Sequence, residues 1–156
     1  MLDRADQAGE LLAAALVDGG WYHRRPVTLL GYSFGARVIF TALRRLALSG
    51  AVGVVESAVL LGAPVPSCES AWAPLRFVVA GRLVNVHSDG DWVLALAHRA
   101  ASLDLGGPAA GLAPVSTRGV ENFDVSHLVA GHTAYPAALP ALLRLVSGVR
   151  GEARKT

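Results

Sequence analysis

Apolar residues recur at helical spacing from the start of the chain. Leu2, Ala5, Ala8, Leu12, Ala15 and Leu16 predict a helix over 2–17, stopped by Asp18-Gly19-Gly20. Arg25-Pro26 breaks the chain, and the run Val27-Thr28-Leu29-Leu30 then predicts a strand over 27–32. From Phe34, a second apolar stripe runs through Val38, Ile39, Ala42, Leu43 and Leu46, with Arg37, Thr41, Arg44 and Arg45 expected to face outward. Ser49-Gly50 closes that helix. Val54 to Gly62 is apolar apart from Glu56 and Ser57, as expected of a strand buried on both faces, and Gly62-Ala63-Pro64-Val65-Pro66 ends it in a rigid loop.

The second half of the chain repeats the alternation. A helix is expected around 69–80, limited by Pro74, and Leu83 to His87 reads as a strand ending at Ser88-Asp89-Gly90-Asp91. Trp92 to Ala101 is helical by composition, 104–117 is a Gly-, Pro- and Ala-rich loop, and Val120 to Val125 is a short strand. A last helix spans about Ala134 to Val146, with Pro136 in its first turn and Pro140 as a kink. Strands alternating with helices, and lacking a solvent face, predict an α/β fold: a mostly parallel sheet of about four strands with right-handed crossovers. In such sheets reactive residues gather at the carboxyl ends of strands. Ser33 follows the first strand, Asp89 and Asp91 the third, and His127 and His132 the fourth.

Composition narrows the chemistry. The chain is 53% hydrophobic and only 17% charged, which argues against disorder and leaves apolar surface for a partner or a lipid-like substrate. The net charge of +2 comes from scattered arginines without interleaved aromatics, so nucleic acid is not an expected partner. Cys68, the one cysteine, excludes an internal disulfide and a cysteine-rich metal site; no metal or cofactor is expected. No apolar run reaches the length of a membrane span, and Asp3, Arg4 and Asp6 occupy the place of a signal peptide's apolar core. Residues 151–156 read as a polar tail.

Gly31-Tyr32-Ser33-Phe34-Gly35 lies between the first strand and the second helix. A serine at such a turn is held in a strained backbone conformation with its hydroxyl pushed out above the sheet, the arrangement of a nucleophile elbow. Glycines at 31 and 35 are expected because a Cβ at either would collide with neighbouring backbone. The turn aims the Phe34 amide at an anion forming on a carbonyl attacked by Ser33, whereas the rival reading makes Ser33 a helix N-cap. A serine hydroxyl needs a base, and the base a carboxylate that fixes its tautomer. His132, after the flexible Gly131, is the preferred base and His127 the alternative; His98, His87 and His23 are less well placed. Asp91 is preferred as the acid, with Asp89 and Asp124 as alternatives, although Asp91 also suits a helix N-cap.

Blocks along nearly the whole chain carry a resemblance: GYSFGARVIF from Gly31 to Phe40, LLGAPVP from Leu60 to Pro66, GRLVNVHSDGDWVL from Gly81 to Leu94, AGLAPV from Ala110 to Val115, GVENFDVSHLV from Gly119 to Val129, and Gly131-His132. In that order they resemble the transmembrane and coiled-coil domain-containing protein 4 family, whose shared region is the domain of unknown function 726. The resemblance implies an α/β-hydrolase fold, esterase- or lipase-like chemistry on an acyl ester or lipid, and membrane association through upstream segments. It carries the nucleophile to Ser33, the acid to Asp91 and the base to His132. An α/β-hydrolase has several strands before the elbow, so residues 1–150 are expected to form the carboxyl half of such a domain, whose partner is the missing amino-terminal half. A non-catalytic interaction module in membrane trafficking and an acyltransferase using the same residues are the rival functions.

Overall fold

The computed structural model describes residues 2–18, 25–101 and 107–152. The chain runs α1 (Leu2–Asp18), β1 (Val27–Tyr32), α2 (Phe34–Ser49), β2 (Val55–Leu61), α3 (Glu69–Val78), β3 (Leu83–His87), α4 (Trp92–Ala101), β4 (Val120–Asp124), a 3-10 turn (His132–Ala134) and α5 (Tyr135–Glu152). His23 and the Gly19-Gly20 helix stop lie outside the described residues, as does part of the 104–117 loop. The four strands pair in the order β1-β2-β3-β4, every neighbour parallel, which makes this an α/β fold with flanking helices.

Strand side chains alternate between two cores. Ala58, Leu60 and Leu83 point to the face covered by α1, α2 and α3, where Phe40, Leu43, Trp72 and Leu75 are buried. Val59, Leu61, Val84 and Val86 point the other way, against Tyr135, Leu142 and Val146 of α5. Burial on both faces explains the apolar run Ala58–Leu61 of β2 and the full burial of β3, whose polar members are Asn85 and His87. It does not hold for β1 and β4, which are sheet edges: Leu30 is 42% exposed, and β4 is half open along its length.

The helix faces also differ from the sequence pattern. In α1 the buried positions are Ala5, Gly9, Ala13 and Leu16, while Ala8 and Ala15 are exposed. A Cβ on Gly9 would lie 2.6 Å from the Thr41 Cβ, so glycine there lets α1 lie close on α2. The supposedly solvated Arg37 and Thr41 therefore face α1. Arg37 donates to both Asp6 carboxylate oxygens at 2.9 and 2.7 Å and to the Pro64 carbonyl at 3.0 Å, and the Thr41 hydroxyl donates to Asp6 at 2.8 Å. Burial alone would raise the Asp6 pKa, but these donors outweigh it and hold the carboxyl below its ordinary value. Arg44 and Arg45 are exposed, as expected. Gly50, in a left-handed conformation with φ of 68°, caps α2.

Candidate active site

Parallel strands bring all their carboxyl ends to one edge of the sheet, and the segments that follow β1, β3 and β4 meet there. Ser33 has φ of 54° and ψ of −122°, the one non-glycine residue with positive φ among the described residues. Its N–H donates to the Leu61 carbonyl at 2.9 Å and its carbonyl accepts the Arg37 N–H at 3.1 Å, so strand and helix pin the turn from opposite sides. Ser33 precedes α2 without capping it through its side chain, which leaves the hydroxyl available for other partners. The tight turn depends on Gly31, where a Cβ would lie 2.6 Å from the Gly35 carbonyl carbon and oxygen. At Gly35 the expectation fails: its position is open, with nothing within 4 Å of an added Cβ.

The Ser33 hydroxyl lies 2.7 Å from His132 Nε2, and His132 Nδ1 lies 2.7 Å from Asp91 Oδ2. Asp91 is fully buried, and its other oxygen accepts the Leu94 N–H at 3.0 Å. A carboxylate only accepts hydrogen bonds, so Nδ1 carries the proton toward Asp91 and the neutral ring presents the Nε2 lone pair to Ser33. Oδ1 caps α4, as the cap reading expects, while Oδ2 bonds the imidazole.

The alternative residues lie apart from this line. His127 is exposed in the turn after β4, and Asp89 is exposed in the turn after β3, where its N–H donates to the Ser126 hydroxyl at 3.1 Å. Asp124 accepts hydrogen bonds from the Ser126 hydroxyl and N–H, which hold its carboxyl below the ordinary value. His87 is buried with an unpartnered Nδ1, and burial lowers its pKa. His98 Nε2 lies 2.9 Å from the Gly107 carbonyl.

The helix start and the cavity complete the site. The Phe34 N–H precedes the first intrahelical bond of α2, so it is one of the helix's free-pointing donors. A cavity of about 270 Å³ opens beside Ser33 and His132, walled by Phe34, Pro64, Val65, Leu94, Ala97 and His98. Its walls on the loop after β2 and on α4 had no individual signature in the sequence, because prolines and helical apolar residues read as structure. Trp72 is core and donates to the Pro66 carbonyl at 2.7 Å, whereas Trp92 is 66% exposed. Among the described residues, no group of three or more His, Cys, Asp or Glu is arranged to hold a metal ion. No described helix is long and apolar enough to cross a membrane.

Comparison with known proteins gives the chain relatives but no structural precedent. It is 48% identical over 91% of its length to "Transmembrane and coiled-coil domain-containing protein STS1" of Oryza sativa subsp. japonica, and covers 21% of that protein. It is 42% identical to an uncharacterised membrane protein of Schizosaccharomyces pombe, across 93% of this chain and 18% of the relative. A third relative, "Probable lipase MIL1" of Saccharomyces cerevisiae, is 40% identical across 93% of this chain and 13% of its own length. The chain thus spans about a quarter or less of the curated relatives it matches. No solved structure matches it. Residues 1–148 match the family described as "Protein of unknown function (DUF726)", and the chain belongs to that family.

Proposed function

We propose that the protein is a serine hydrolase of the α/β-hydrolase type, acting on a carboxylic ester of lipid character. The observation that carries this reading is the continuous line of hydrogen bonds from a strained serine through His132 to a buried Asp91. Ser33 Oγ attacks the ester carbonyl carbon as its proton passes to His132 Nε2, and Asp91 stabilises the imidazolium through Nδ1–H. The carbonyl oxygen becomes an anion, and the Phe34 N–H is one donor aimed at it. The tetrahedral intermediate collapses, the alcohol leaves with the proton from His132, and Ser33 is left acylated. Water, deprotonated by His132, attacks the acyl carbon; the acid departs and Ser33 regains its proton.

The apolar cavity supports an acyl chain as the bound group. At about 30 Å³ of liquid volume per water-sized unit, it has room for roughly nine such units, the scale of a short to medium chain. The name of the yeast relative and the membrane naming of the others support a lipid ester met at a bilayer. Ala97 lines the cavity from the exposed side of α4, so a large residue there narrows it without disturbing the core. Ala97→Trp is expected to lower kcat/KM for an octanoyl ester at least about tenfold relative to an acetyl ester, since each buried methylene contributes about 0.8 kcal/mol. Equal loss for both esters would place the chain elsewhere.

The direct test of the reading is a fluorophosphonate probe followed by peptide mapping. The expected adduct is on Ser33. Absence of any adduct, or an adduct on another serine, would overturn the assignment.

A further inference from the structure

Tyr32 neighbours Ser33 in the chain, yet its hydroxyl donates across the site to the backbone carbonyl of His132. The two rings also pack, with centroids 5.1 Å apart and planes tilted by 36°. Tyr135 completes the cluster, 5.2 Å from the Tyr32 ring and 6.4 Å from His132, and its other side rests on Gly62, where a Cβ would come within 3.0 Å of the Tyr135 ring. His132 needs such support. It follows Gly131, whose backbone is extended, and it opens a 3-10 turn that leads into α5. Asp91 and Ser33 hold the ring at its two nitrogens, and the Tyr32 hydroxyl bonds the main chain that carries it.

We infer that Tyr32 is a positioning residue, which ties the His132 backbone to the elbow so that the imidazole stays in line with both Ser33 and Asp91. This inference rests on the reading of Ser33, His132 and Asp91 as a catalytic set. The geometry has a mechanical logic. The residue that precedes the nucleophile holds the main chain of the base, so any movement of the elbow moves nucleophile and base together. Alignment matters at this scale, since a misplacement of about 1 Å can cost about 10²-fold in rate. Burial, and secondarily the charge of Asp91, raises the Tyr32 pKa, which keeps the phenol a donor well into the alkaline range.

The test is Tyr32→Phe, which keeps the ring and removes the hydroxyl. Three measurements are made on it and on the wild type: the rate of fluorophosphonate labelling, kcat and KM for a short acyl ester, and the low-field proton NMR resonance of the His132–Asp91 hydrogen bond. Labelling and kcat are expected to fall about 10- to 100-fold with KM within about twofold, and the resonance to broaden or shift. The melting temperature is expected to stay within about 4 °C. Unchanged rates with an unchanged resonance overturn the inference and leave the hydrolase reading standing. A fall in rate that follows only a fall in melting temperature, with the resonance intact, reduces Tyr32 to a structural role and overturns it too. If the wild type takes no label but Tyr32→Phe still alters the resonance, the hydrolase reading fails while the tether stands.

Discussion

Ser33→Ala is expected to lower ester turnover by about 10⁶-fold, leaving only the residual acceleration, about 10³–10⁴ over water, that binding and the helix-start donor provide. The size of the loss follows from the geometry. His132 and Asp91 have no function in acyl transfer without a hydroxyl 2.7 Å from Nε2, so removing it disables all of them together. For the same reason His132→Ala is expected to cost nearly as much, and the double variant little more than either alone, because residues acting as a unit are not additive. Asp91→Asn is expected to cost about 10⁴-fold, since an amide nitrogen facing Nδ1 favours the wrong tautomer. Its carbonyl can still accept the Leu94 N–H, so the cap of α4 is retained and the protein stays folded. Steady-state kinetics on a short acyl ester measure all four variants. A Ser33→Ala protein that retains more than about a thousandth of wild-type turnover would remove Ser33 from the chemistry.

The second large effect separates two glycines of one pentapeptide. Gly31→Ala is expected to destabilise the protein by about 2–3 kcal/mol, because its new Cβ meets main-chain atoms that have no rotamer to give way. In a chain of this size that lowers the melting temperature by roughly 5–10 °C. Relief of the clash must shift either β1 or the first turn of α2, and both hold Ser33, so labelling is expected to fall with stability. Gly35→Ala is expected to leave the melting temperature unchanged, or to raise it by about 0.5 kcal/mol worth of helix propensity. Thermal unfolding of the pair decides the matter. Equal damage from both substitutions would contradict the close approach seen only at position 31.

The contrast between those glycines also shows what a sequence can reveal. Symmetry of the motif suggests that both are required for space, but only the fold sets which of them faces backbone. The strands, the helices after them and the ends where Ser33, Asp91 and His132 sit follow from apolar runs and from turn residues. Those signals are local, and the elements match them to within about two residues, except that α5 continues past the expected end at Val146 to Glu152, two residues into the expected polar tail. What stayed hidden depends on partners distant in the chain. Thr41 and Arg37 look solvated until α1 lies on them, and Gly9 looks like a weak helix position until its closeness to Thr41 is known. The partial exposure of β1 and β4 was hidden too, because an apolar run does not state whether both faces of its strand are covered. Tyr32 is the clearest case: the sequence marks it only as part of the elbow, and the juxtaposition with His132 is what gives its hydroxyl a partner. Asp91 shows the converse, since a group with two oxygens can cap a helix with one and meet the His132 ring with the other.

The strand order β1-β2-β3-β4 has a temporal consequence. A chain emerging from the ribosome delivers the serine first and the imidazole almost a hundred positions later, after three further strands have docked. On the proposed mechanism, the hydroxyl keeps ordinary alcohol reactivity until the segment that carries His132 folds back beside it. Competence for that chemistry would then wait on the docking of β4 and the turn after it, and not on the elbow alone.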